Sequence, residues 1–292
     1  MTLPKVKPKK RFGQNFLVDN NIARKIVEST YISPESLVVE IGPGKGSLTK
    51  FLVDYPIYYL GFEIDEELTS YLDELKSKNK CIFFEVLFKD FLEFKEKELC
   101  ERLHQKIYLL GNIPYYLTSP ILFKVLDNRQ YYEKITLMVQ REVANRIVAK
   151  PKTKDYGILS VLIQTFSNVK KLFDVSPQCF FPQPKVYSSV ITIEFKDNFL
   201  EFSNYFFFKE IVKLSFNQRR KILSNNLFKR LGLDDKTIAN DEILFEFSSK
   251  RPEELSSNDF LNLTDVLIKN YPSICQNLLQ KKQILKNSIG KS

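Results

Sequence analysis

The sequence predicts an α/β fold, a parallel sheet with helices on both faces, followed by a small all-helical domain. Three observations predict it. Up to about residue 195 short apolar runs alternate with segments of helical period, the pattern of strands joined by crossover helices. A glycine cluster, GPGKG at 42–46, falls where one apolar run gives way to a helical one. Beyond about residue 200 the strand signal disappears and helical spacing remains.

In chain order, IARKIVES (22–29) has helical spacing, LVVEIG (37–42) is an apolar strand closed by glycine, and GSLTKFLVD (46–54) starts a helix. YYLGFEID (58–65) is a strand, EELTSYLDELKSK (66–78) a charged helix, and CIFFEVLFKD (81–90), IYLLGN (107–112) and KITLMVQ (134–140) are strands. VYSSVITIEF (186–195) alternates strictly and suits a hairpin arm or a sheet edge. In FFFKEIVKLSFNQRRKILSNNLFKRLGL (206–233), Val212, Phe216, Leu223, Leu227 and Leu231 share one helical face, and NDFLNLTDVLIKNY (258–271) repeats the spacing. The expected divisions are a first domain at 1–198 with a basic arm at 1–11, a helical domain at 199–275, and a basic, weakly patterned tail at 276–292.

The 292 residues, 43% of them apolar, can bury a real core. No run approaches the roughly 18 apolar residues that span a bilayer, and no apolar run follows the basic start. A soluble, cytoplasmic protein without membrane contact is expected. The cysteines, at 81, 100, 179 and 275, form no C-x-x-C pair, and His104 is the one histidine. A metal site or disulfide framework is not expected, and chemistry that needs an imidazole base is disfavoured.

The formal charge of +9 points to polyanionic partners. Lys5, Lys7, Lys9, Lys10 and Arg11 precede any acidic residue, and six basic residues without a carboxylate lie from Lys213 to Arg230. With aromatic neighbours such clusters are a nucleic-acid footprint; a solvated face is the alternative. A monomer is expected.

Gly42, Gly44 and Gly46 let the backbone turn tightly after a strand and let a ligand come close. A tight turn without a ligand is the alternative for the glycines alone. Glu63 closes the next strand 21 positions after Gly42, where an acidic side chain meets ribose hydroxyls in nucleotide-binding units. Asp90 and Asn112 end the two strands after that. Ligands of open α/β sheets sit beyond the carboxyl ends of the strands, so Gly42, Glu63, Asp90 and Asn112 are expected to line one crevice. The spacing G-x-G-x-G departs from the dinucleotide fingerprint G-x-G-x-x-G. Glu40, at the strand end, would repel a pyrophosphate and balance an ammonium or a sulfonium. S-adenosylmethionine is therefore favoured over a dinucleotide.

LLGNIPYYLTSPIL (109–122) ends a strand with an amide, a proline and two tyrosines. Pro114 forces Ile113 into an extended conformation and fixes the direction of its carbonyl. The Asn112 amide oxygen beside that carbonyl makes two acceptors for the two hydrogens of an exocyclic base amine, restoring lone-pair character to its nitrogen. Tyr115 supplies a face for the base to stack on, worth roughly 1–3 kcal/mol. Attack on a sulfonium methyl then needs alignment more than acid or base, and alignment supplies about 7–11 kcal/mol.

These motifs resemble those of the ribosomal RNA adenine dimethyltransferases, which modify two adjacent adenosines near the 3′ end of small-subunit rRNA. The resemblance runs through RFGQNFL (11–17), VVEIGPGKGSLT (38–49), GFEID (61–65), FKD (88–90), the NIPY segment, MVQREVANRIVA (138–149), CFFPQPKVYSSV (179–190) and SFNQRRKILSNNL (215–227), covering about residues 10–265. It implies a Rossmann-like class I methyltransferase sheet. Asn15 and Leu17 would contact the methyl donor, Gly42 would belong to its amino-acid pocket, Glu63 would hold the ribose and Asp90 the adenine amine. Asn112 with the Ile113 carbonyl would orient the target amine, and Tyr115 and Phe180 would sandwich the target base; core packing beside Phe181 is the alternative for Phe180.

The implied partner is small-subunit rRNA in a pre-ribosomal particle. Its expected contacts are Arg11 of the arm, Arg141, Arg146 and Lys150 near the catalytic rim, and Arg219, Arg220 and Lys221 of the helical domain. Position 116 is Tyr where the family usually has Asn, and the run after about 275 goes past its usual end. Erythromycin-resistance type methylases of large-subunit rRNA share the α/β domain, but SFNQRRKILSNNL resembles the small-subunit group. A non-catalytic nucleic-acid-binding factor of the same fold is a further alternative, against which the intact NIPY loop argues.

Overall fold

The apolar runs of the first two thirds become strands buried along most of their length. The computed structural model describes residues 6–199, 204–278 and 280. Lys5 of the basic arm and residues 279 and 281–292 of the tail lie outside them, as do residues 200–203 beside the expected domain boundary.

A 3₁₀ turn at Lys10–Phe12 leads into the first strand, β1 (Phe16–Leu17), and a helix, α1 (Asn20–Thr30). Asp19 caps α1, accepting hydrogen bonds from the N–H groups of Asn21 and Ile22. β2 (Leu37–Ile41) is buried at every position, as expected of a parallel strand covered on both faces. The alternation continues with α2 (Thr49–Leu52), β3 (Tyr58–Glu63), α3 (Thr69–Lys76), β4 (Phe83–Phe88), α4 (Glu96–Leu103), β5 (Ile107–Asn112), α5 (Thr118–Asp127) and β6 (Tyr132–Gln140). Then come α6 (Arg141–Ile147), α7 (Ile158–Phe166), β7 (Ser167–Val175), β8 (Phe180–Phe181) and β9 (Ser188–Phe195).

Seven strands form one sheet in the order β4-β3-β2-β5-β6-β9-β7. The first five run parallel, while β9 is antiparallel to both β6 and β7. The strand order reverses between β2 and β5, which opens a crevice beyond their carboxyl ends. Ile26, Val27, Leu48, Leu52, Val38 and Leu110 belong to one buried cluster between sheet and helices.

VYSSVITIEF supplies a hairpin arm but not the edge: β9 lies inside the sheet and is buried over its first six residues. The edge is β7, SNVKKLFDV, whose exposure alternates along the strand. Its three charged residues suit an edge that must not pair with another chain.

Among the described residues the chain divides into two compact units, Met1–Asn145 with Phe166–Leu200, and Arg146–Thr165 with Glu201–Ser292. The helical segment between β6 and β7 thus belongs to the second unit. That unit continues with α8 (Tyr205–Phe216), a π-helical turn at Ser224–Phe228, α9 (Lys229–Leu231), α10 (Asp235–Ala239), α11 (Glu242–Ser248) and α12 (Ser257–Asn270). The single helical face expected over 206–233 is broken after Phe216. The cause is visible at Asn226, buried, whose amide N–H donates to the carbonyls of Ser215 and Gln218. It satisfies acceptors that a helix end leaves open. Val212, Leu223 and Leu227 are each fully buried, from two separate helical pieces.

Candidate active site

The three glycines after β2 have φ of 64°, 61° and 77°, a left-handed conformation that costs an L side chain roughly 1–2 kcal/mol. A Cβ at Gly42 would meet nothing within 4 Å, so the turn is open there. At Gly46 it would run into the side chain of Leu75. Gly46 is thus explained by turn geometry and packing, and it is not on the crevice wall.

Glu63 stands at the end of β3, 5% exposed. One carboxylate oxygen accepts the Gly44 N–H at 2.9 Å, and the other accepts those of Ile64 at 2.9 Å and Asp65 at 3.0 Å. Burial raises its pKa, and the three N–H groups pull in the opposite direction. A carboxylate offers about four acceptor positions, so the backbone leaves about one for a ligand hydroxyl. Asp90 is exposed at the end of β4, where one oxygen accepts the Leu92 N–H at 2.8 Å.

Asn112 ends β5. Its amide N–H donates to the Asn15 carbonyl at 3.0 Å, which turns the amide oxygen the other way. Ile113 is buried, and Pro114 is extended at φ −55°, ψ 135°. Tyr115 is half-buried, with its hydroxyl 2.9 Å from the Ser188 hydroxyl. Burial raises its pKa, so the phenol stays neutral. The structure brings Asn15, Gly42, Gly44, Glu63 and Asp90 to one crevice with Asn112, Ile113, Pro114 and Tyr115.

Four residues singled out in the sequence do not line it. Leu17 and Phe180 pair across β1 and β8 and are each 4% exposed, inside the core cluster. The ring that reaches solvent there is Phe181, 60% exposed. Burial of Phe180 follows from strand alternation, which turns neighbouring side chains to opposite sides. Gly46 is the third. Glu40, the fourth, is buried behind the turn, accepting hydrogen bonds from the Tyr59 and Thr49 hydroxyls at 2.8 Å each. Burial pushes its pKa up to about 7, the two hydroxyls lower it, and the nearby Glu63 charge raises it further. Its two hydroxyl partners hold Glu40 inward, and the raised pKa sets it apart from the ordinary carboxylate that the balancing role supposed.

Sequence reasoning missed how the basic arm is held. Lys9 Nζ lies 2.6 Å from Asp65 and 2.9 Å from Glu67, and its backbone N–H donates to the Gln14 side-chain oxygen at 2.8 Å. The Gln14 amide in turn donates to Asp65 at 2.9 Å. Phe12, Gly13, Gln14 and Phe16 thereby become crevice wall beside Asn15. The signal was the second acid of GFEID, two residues after Glu63.

Of the basic candidates, Arg11, Arg141, Arg146, Lys150, Arg220 and Lys221 are exposed. Arg219 is engaged within its own unit, 2.6 Å from Glu253 and donating to the Thr153 carbonyl at 3.0 Å. Among the described residues no His, Cys, Asp and Glu group could hold a metal ion, and no helix is long and apolar enough to cross a membrane.

A sheet of this order, a glycine turn facing an acid at the end of β3, and an amide at the end of β5 define a class I methyltransferase. The model of the family described as ribosomal RNA adenine dimethylase matches residues 5–269, and the chain belongs to that family. It is similar to the ribosomal RNA small subunit methyltransferase A of Mesomycoplasma hyopneumoniae, 42% identical over 268 residues, 90% of this chain and 97% of the relative. The protein of the same name from Francisella tularensis subsp. tularensis is 40% identical over 266 residues, 90% of this chain and 98% of the relative. The fold is similar to the crystal structure of a dimethyladenosine transferase from Plasmodium falciparum, with TM-score 0.72 and 24% identity over 87% of this chain and 98% of that one. The 23S rRNA methyltransferase ErmE shares it at TM-score 0.61 and 24% identity, over 86% of this chain and 100% of that one.

Proposed function

We propose that the chain transfers methyl groups from S-adenosylmethionine to N6 of two adjacent adenosines near the 3′ end of small-subunit rRNA, giving dimethyladenosines as the subunit is assembled. The observation that carries this reading is the orientation of Asn112. Its amide N–H is engaged by the Asn15 carbonyl, so its oxygen is the atom left to accept from an adenine amine in the crevice that Ile113 also lines. That oxygen and the Ile113 carbonyl would together favour an amine whose hydrogens lie out of the ring plane, and that geometry gives the nitrogen its nucleophilic lone pair.

The residues present fit the methyl donor. Gly42 is open, Glu63 keeps about one acceptor for a ribose hydroxyl, and among the described residues one Asp90 oxygen accepts no hydrogen bond. S-adenosylmethionine, when bound, supplies a methyl group on a positively charged sulfur. The chain's own contribution is alignment: Tyr115 stacks the base, Asn112 and Ile113 hold the amine, and the arm from Phe12 to Phe16 narrows access of water. The proton lost after attack passes to water, so the scarcity of histidine is no obstacle.

Arg11, Arg141, Arg146, Lys150, Arg220 and Lys221 would hold the rRNA of a pre-ribosomal particle, with the helical unit adding RNA contacts. The protein would act as a monomer in the cytoplasm. Curated relatives near 40% identity favour the small-subunit reading over a 23S methylase, which the shared fold alone does not separate. Mass mapping of rRNA from cells with and without the chain tests it. Two dimethylated adenines of small-subunit rRNA should vanish together and return on re-expression; loss of a large-subunit mark instead would support the ErmE-like alternative.

A further inference from the structure

Next to the target-base wall lies an aromatic surface that the reaction described above leaves unused. Tyr187 is 44% exposed. The Arg141 guanidinium lies 4.7 Å from its ring centroid, and the Arg141 backbone N–H donates to the Tyr187 carbonyl at 3.0 Å. One side of the ring is therefore backed by a cation and much of the rest is open. Gln140, Glu142, Lys185 and Val186 complete a concavity of about 290 Å³ around the pair.

The position of this surface matters as much as its chemistry. Ser188, the next residue, is buried and holds the Tyr115 hydroxyl. Adjacent residues at the start of β9 thus serve two faces: Ser188 turns inward to anchor the target-base platform, and Tyr187 turns outward beside it. The one-residue step from Ser188 to Tyr187 ties this surface to the target-base platform.

We propose that Tyr187, backed by Arg141 and flanked by Lys185, is a nucleotide subsite that stacks the base adjoining the adenosine under modification; this rests on the rRNA reading above. A π face with a guanidinium behind it recognises any base, and the Lys185 ammonium supplies the counter-charge for the linking phosphate.

The test is a cycle between protein and RNA with the full chain. An RNA hairpin presenting two adjacent unpaired adenosines is compared with versions made abasic at the position on either side of the target, at fixed salt, by fluorescence anisotropy. Tyr187→Ala and Tyr187→Leu should each weaken binding of the intact hairpin by about 5- to 100-fold, whereas Tyr187→Phe should retain it. One abasic replacement should cost the wild type the same factor and cost Tyr187→Leu nothing further. Calorimetry with S-adenosylmethionine should give unchanged affinity in all three variants, showing the crevice intact. Wild-type affinity in Tyr187→Leu, or an abasic loss that persists undiminished in it, would overturn the subsite alone. A wild type that neither binds nor methylates adenosine-bearing RNA would overturn the functional reading and the subsite with it.

Discussion

The donor side of the crevice is held by several hydrogen bonds per residue at the end of β3, and the target side by one per residue at the end of β5. At the end of β3, Glu63 takes three backbone N–H groups, and Asp65 beside it is pinned by Lys9 and Gln14. At the end of β5, Asn112 is oriented by one hydrogen bond and Tyr115 by another. Several partners, backbone and side chain, fix these two carboxylates of the donor side. One contact each fixes Asn112 and Tyr115, so the target side can be altered without dismantling what surrounds it. The same contrast recurs between Glu40, enclosed behind the glycine turn, and the open basic residues of the helical unit.

The largest expected effect separates the two sides directly. Asn112→Ala removes the amine acceptor while leaving Gly42, Glu63 and Asp90 in place. Methyl transfer should fall by about 10²- to 10³-fold, the usual scale for losing one preorganised polar group. The affinity for S-adenosylmethionine measured by calorimetry should stay within about twofold. A parallel collapse of donor affinity would mean that the two sides are one cooperative unit.

Next comes the buried support of the donor side. Glu40 releases its proton near 4.5 in the unfolded chain and near 7 in the folded one, chiefly because it is buried. The folded state therefore binds more protons between those values. The stability that Glu40 contributes is complete below about 4.5 and is lost as pH rises through about 7, a loss on the order of 3 kcal/mol. Glu40→Gln stays neutral, so urea denaturation should show the variant gaining on the wild type from pH 5 to pH 8. Parallel stability curves would show that Glu40 is ionised in the fold, as the sulfonium-balancing role would have it.

Motifs whose meaning lies in the backbone were the legible ones. Gly42, Glu63, Asp90 and Asn112 could be put on one crevice because each closes a parallel strand and the order of strands carries them to the same rim. Side-chain direction within a motif was less legible. Glu40 and Phe180 sit in the right segments, yet Thr49 and Tyr59 draw Glu40 inward and the β1–β8 pairing buries Phe180. Those partners lie from 9 to over 100 residues away, beyond any local pattern. The break after Phe216 was hidden for the opposite reason. The apolar spacing continues through it, and only the buried amide of Asn226 reveals that the chain turns.

The smallest effect tests whether charge serves the fold or the substrate within one tetrapeptide, QRRK at 218–221. Arg219 is held by Glu253 and Thr153, whereas Arg220 and Lys221 are exposed. If the latter two contact phosphates, Arg220→Ala and Lys221→Ala should each flatten the dependence of log affinity for single-stranded RNA on log salt by about 0.7. Arg219→Ala should leave that slope unchanged. It should instead lower the stability of the helical unit by less than about 1 kcal/mol, because its ion pair is partly solvated, 35% and 29% exposed at the two partners. Equal slopes for all three variants would erase the distinction at this site. A slope change in Arg219→Ala alone would reverse it, making the buttressed arginine the one that leaves its partner for RNA.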